Sequence, residues 1–159
     1  MSTDSALRQQ LRDLLLSGNA HLSFDKAVAD LPVALHGVRP AGVPHTPWRL
    51  VEHLRIAQRD ILEFSRSPGH RSPEFPAGYW PEGDAPPDDL AWERTLAAFR
   101  ADRQAMVDLV MDPAVDLFAP IVGGDGQTVL AEALLVADHN AYHLGELVVV
   151  RRALGAWSG

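Results

Sequence analysis

Apolar residues return every three to four positions along most of this chain, the period of one helical face. Leu7, Leu11, Leu14 and Leu15 predict a helix over 4–17 that ends near Gly18. Phe24, Val28 and Leu31 predict a shorter helical piece over 23–31, and Gly37, Pro40, Gly42 and Pro44 mark 36–46 as loop. Thr46-Pro47 is a helix start, because Thr caps well and Pro at the first helical position gives up only an N–H that has no partner there. The helix that follows runs to about Ser65. Leu50, Leu54, Ala57, Ile61 and Phe64 share one face of it, and Glu52, Arg55, Arg59, Glu63 and Arg66 the opposite one. Glu52 with Arg55 and Arg59 with Glu63 read as ordinary surface pairs.

Residues 67–87 hold Pro68, Pro73, Pro76, Pro81, Pro86 and Pro87, which exclude a helix. Phe75, Tyr79 and Trp80 lie in the same stretch and make it a packed surface crossing rather than a linker. Asp88 or Asp89 caps a further helix over 90–110, with Leu90, Leu96, Phe99, Met106 and Val110 on its apolar side, and Asp112-Pro113 ends it. Gly123-Gly124-Asp125-Gly126 is followed by Gln127-Thr128 rather than the Lys-Ser/Thr of a phosphate loop, so it reads as a turn. The last helix begins near Thr128, runs to about Leu154 and is apolar almost all round, which places it at the buried centre. No run alternates as a strand does. The fold class expected is all-α: one domain over 1–159, an antiparallel four-helix bundle with a long proline-rich crossover.

Composition narrows the chemistry. Lys and Arg number 14 against 21 Asp and Glu, a net charge of −7, and no basic stripe of a nucleic-acid binder is present. The first residues, Met1-Ser2-Thr3-Asp4, are not a basic, then apolar leader, and no apolar stretch approaches the ~18 residues of a membrane span. The expectation is a cytoplasmic protein with no nucleic-acid or membrane partner. There are seven histidines and no cysteine. Disulfides, thiolate metal sites and a cysteine nucleophile are therefore excluded, and any metal must be held by His, Asp or Glu.

The informative stretch is Asp138-His139-Asn140-Ala141-Tyr142-His143-Leu144-Gly145-Glu146. His139 and His143 are one helical turn apart, so both rings leave the same face, and Glu132 and Glu146 fall in the same arc of roughly 60°. Such a pair is the usual way for one helix to supply two metal ligands. Two polar residues on a wet face is the competing reading, but this helix has almost no other polar positions. His53, at the edge of the apolar face of its helix, is the candidate third ligand. Asp60, two turns on, is either a hydrogen-bond partner near the site or, the reading preferred, solvent-facing at the end of the bundle. His21, His36, His45 and His70 are read as solvent or structural histidines, and Trp48 and Trp92 as packing residues. The position after His139 is Asn140, which cannot act as the base of a His-Glu-x-x-His zinc protease. No Glu-x-x-His occurs, so a ferritin-like di-iron centre is excluded.

A His in the second long helix joined with His-x-x-x-His in the last resembles the DinB-like (YfiT-related) family. His139-Asn140-Ala141-Tyr142-His143-Leu144-Gly145-Glu146 is close to that family's most typical motif, and Trp48-Arg49-Leu50-Val51-Glu52-His53-Leu54 is similar to its first ligand segment. Gly124-Asp125-Gly126-Gln127-Thr128 resembles the turn before its last helix. The resemblance spans about residues 4–157. It implies one open-sided metal site made by His53, His139 and His143, holding a divalent transition metal, zinc or nickel first and iron or manganese next. It also implies a homodimer, and relatives that are thiol S-transferases or thiol-dependent isomerases.

Three functions follow, in order. The first is a metal-dependent enzyme, a transferase that activates a low-molecular-weight thiol brought in from outside. The second is a non-catalytic metal-binding module. The third is a helical dimerisation protein. No catalytic acid or base stands out, and Glu146 is the best partner for a ligand histidine.

Overall fold

In the computed structural model, which describes residues 2–157, five α-helices follow one another: α1 (Thr3–Ser17), α2 (Phe24–Val28), α3 (Pro47–Arg66), α4 (Ala91–Met111) and α5 (Val129–Ala153). Short 3-10 turns stand at Val33–Leu35 and Ala77–Tyr79. Among the described residues there is no β-strand, only an isolated bridge between Pro120 and Thr128. The helix ends obey the local chemistry of the sequence. Ser2, Thr46 and Thr128 each accept a hydrogen bond from the backbone N–H three residues on, at 3.1, 3.2 and 3.2 Å. Gly18 takes the left-handed conformation, φ 67°, that closes α1 on the Leu14 carbonyl. The piece expected over 23–31 is shorter, because the chain leaves helical geometry at Ala29 and Asp30 sits at φ 55°.

α3 packs on α4 and α5, and α1 packs on the same two helices from the other side. Two apolar clusters fill the space between them. One gathers Phe24, Trp48, Leu54, Trp92, Phe99 and Leu147. The other gathers Leu11, Leu62, Met106, Val110, Leu117 and Val136. Several polar groups inside are paired across the helices. Gln58 of α3 donates to the Phe99 carbonyl at 2.7 Å and accepts from Asn140 of α5 at 3.0 Å. Arg8, buried, donates to the carbonyls of Val110, Asp112 and Val115 at 2.8–2.9 Å. It thereby supplies, from α1, the cation that the last turn of α4 lacks in its own sequence.

Two expectations change. Glu52 and Arg55 are not a free surface pair: Glu52 also accepts from Thr95 Oγ1 of α4 at 2.7 Å, and Arg59 reaches Asp102 at 2.9 Å, so these charges join α3 to α4. α5 is not the buried centre. Leu134, Leu135, Tyr142 and Val149 lie exposed along one stripe of it, because only two of the other three long helices flank α5 closely. No helix among the described residues is long and apolar enough to cross a membrane.

The proline-rich stretch runs back over the first half of α3. Thr46 Oγ1 donates to the Asp84 carbonyl at 2.6 Å, Arg49 donates to the Pro81 carbonyl at 3.0 Å, and Arg39 forks onto Asp84 at 2.6–2.7 Å. These ties bring Tyr79 and Trp80 onto His53.

Candidate metal centre

α3 and α5 put three imidazoles together. His53 Nε2 lies 3.0 Å from His139 Nε2 and 3.1 Å from His143 Nε2. One ligand atom from each ring falls within 4.8 Å of the others. His53 and His143 are buried and His139 is half-buried. The far nitrogens explain how the near ones point. His53 Nδ1 lies 2.7 Å from the Tyr79 carbonyl oxygen, which can only accept, so Nδ1 carries the proton. His143 Nδ1 lies 3.1 Å from Glu146 Oε2, and the same reasoning applies. In the neutral rings both Nε2 atoms then carry lone pairs.

That assignment tests the fit of a cation. Two lone pairs facing each other at 3.1 Å do not form a hydrogen bond; they repel unless a positive centre lies between them. Tetrahedral zinc with Zn–N bonds of about 2.05 Å places its nitrogens about 3.3 Å apart, close to the spacing seen. The three rings, with one ligand atom from each within 4.8 Å of the others, form a group able to hold a divalent metal. The electrostatics agree. Burial, followed by the neighbouring rings, holds His139 and His143 at about 4, and burial lowers His53 as well. The rings are therefore unprotonated across the neutral range and ready to coordinate.

Trp80 is the structural lid of the cluster. Its ring stacks on His53 at 3.9 Å and 3°, and on its other face it stacks on His45 at 4.1 Å and 17°. His45, read from sequence as solvent or structural, therefore packs beside the site, with its Nδ1 buried and unpartnered among the described residues. His36 is structural: it stacks on Trp92 at 3.7 Å and bonds the Leu31 carbonyl at 3.1 Å.

A cavity of about 420 Å³ opens against His53 and His139, a size suited to a small molecule. Its walls are mostly apolar, with Phe64, Phe75, Tyr79, Trp80 and Leu135 among them, and its carboxylates are Asp60 and Glu132. Asp60 does not face bulk solvent as expected. It is 8% exposed and accepts from Tyr79 Oη at 2.6 Å and from His70 Nε2 at 2.7 Å. The cause is the crossing segment, which folds Tyr79 and His70 over that end of α3. Burial, then hydrogen bonding to Asp60, pushes the Tyr79 hydroxyl up to about 12, so it stays a donor.

The three histidines expected at one site do come together, whereas Tyr79, Trp80 and His45, which bond to or stack on the cluster, were not expected there. The available signal was the three aromatic residues inside a proline-rich stretch, which promised packing but not a target.

A family model described as the DinB superfamily matches residues 20–147. No curated protein and no solved structure matches the chain.

Proposed function

The chain belongs to the DinB superfamily, and on that premise we propose that it is a metal-dependent enzyme, a transferase acting on a low-molecular-weight thiol. His53, His139 and His143 are the metal ligands in this reading, with zinc or nickel as the metal. The observation that carries it is that the three-histidine cluster lies against a cavity, with His53 and His139 in its wall, rather than inside a closed shell of protein ligands. Structural metal sites fill four positions with protein, whereas catalytic ones leave a position open.

A divalent cation bound there supplies Lewis acidity, lowering the pKa of a thiol or water that reaches it. The chain's own residues do the rest. Tyr79 and Glu146 fix the proton of two rings on the far nitrogen and so keep the near lone pairs free. Trp80 stacks on the His53 ring and holds it in plane. The chain contains no cysteine, so the nucleophilic sulfur comes from the cosubstrate. In the transfer, the thiol proton passes to solvent and the sulfur forms a bond to an electrophilic carbon. The bond from that carbon to its leaving group breaks, and the leaving group keeps the electron pair.

The wider reading is a single domain over 1–159, an antiparallel four-helix bundle closed by the proline-rich crossover, acting in the cytoplasm as a homodimer. The exposed apolar stripe on α5 supports the dimer. The test of the enzyme is turnover. Metal-loaded protein mixed with a small thiol and an alkyl or aryl electrophile should consume free thiol faster than buffer does, and His139→Ala should abolish the gain. Stoichiometric metal with no thiol consumption and no thiol binding would instead make the protein a metal-binding module.

A further inference from the structure

Glu132 stands apart from every other buried acid in the cavity. It is 7% exposed, it lines the cavity, and among the described residues its carboxylate has neither a hydrogen bond nor an ion pair. Asp60, on the same wall, already has two donors. A carboxylate with so little exposure and no partner is costly to hold charged. Burial, and next the charge of Asp60, push the Glu132 carboxyl up. None of the residues lining the cavity is Lys or Arg.

We propose that Glu132 is the specificity determinant of this cavity, and that it selects a ligand with an apolar body and a cationic amine. This rests on the reading of the cavity as the substrate site. The geometry sets the length of such a ligand. Glu132 and His139 lie seven residues apart on α5, a rise of about 10 Å. A molecule whose ammonium meets Glu132 thus extends its apolar part along Phe64, Tyr79 and Trp80 and carries its reactive end to the histidines. Aromatic walls favour the same class, since their faces attract cations. Carboxylates and phosphates meet two acidic groups and no cation at this end of the cavity.

Three probes of equal shape separate the possibilities: 4-phenylbutylamine, 4-phenylbutanol and 4-phenylbutyrate. Each is titrated into the full chain kept metal-free with chelator, so that no anion is drawn to a metal, and binding is read from the Trp80 indole N–H in NMR spectra. The amine should bind at least tenfold more tightly than the alcohol, and the butyrate more weakly than either. Glu132→Gln should remove the amine's advantage and leave the alcohol unchanged. Equal binding of amine and butyrate, no perturbation of Trp80 by any probe, or an amine preference that survives Glu132→Gln would each overturn the proposal. The ranking in the unaltered chain decides even where the variant fails to fold. Because no metal and no turnover enter, this result is independent of the thiol-transfer assay.

Discussion

Each imidazole at this site has two nitrogens, and the outer one determines what the inner one can do. Where Tyr79 and Glu146 accept from Nδ1, Nε2 is left as a donor of electrons. The arrangement has a pH signature. The folded chain holds His139 and His143 at about 4, below the ordinary value near 6.5. Below pH ~6.5 the unfolded chain takes up protons that the folded chain refuses, so stability falls as the pH falls. Metal-free protein should therefore keep its full stability above pH ~6.5 and lose it steadily toward pH 4, on the order of 10 °C in Tm. Thermal melts from pH 7.5 to 4.5 check this. A variant with both His139→Ala and His143→Ala should show a flatter profile, and an identical profile in that variant would remove the histidines as the cause. Glu132 acts in the opposite direction: its raised carboxyl lowers stability as the pH rises through its folded value.

At the scale of elements, α5 carries two exposed or cavity-facing functions on one helix. One side presents Glu132, Leu135 and His139 to the cavity, with His143 buried beside them, and another presents Leu134, Tyr142 and Val149 outward. An exposed apolar stripe of this kind marks an interaction surface. With a second copy as its occupant, Val149→Arg should convert a dimer to a folded monomer, read by light scattering after size exclusion. A chain of unchanged mass in that variant would exclude the stripe from the interface. Helical period explains why the sequence showed so much of this fold and where it fell short. The caps at Thr46 and Thr128, the stop at Gly18 and the pairing of His139 with His143 are local, set within one turn of chain. The burial of Asp60, the stacking of His45 on Trp80 and the exposure of Leu134 depend on which distant segment lies opposite. Apolar residues on all sides of α5 looked like full burial, yet an exposed apolar stripe and a core stripe have the same composition. His53 was legible because an incomplete pair on another helix needed a third ligand. The partner that orients it, a backbone carbonyl of Tyr79, has no signature in residue type.

For the molecule as a whole, the site is where α3 and α5 meet the proline-rich segment. α3 and α5 bring the three histidines together, and the proline-rich segment orients one ring and walls the cavity beside it. The central claim is that these three histidines hold one divalent metal per chain. Its most direct test is the metal content of protein purified from its native source without added metal, measured by mass spectrometry beside His53→Ala. Close to one transition-metal ion per chain is expected in the unaltered protein and almost none in the folded variant. An ion retained in full by His53→Ala would contradict the site joining α3 to α5, and no stoichiometric metal in the unaltered protein would contradict the metal centre itself.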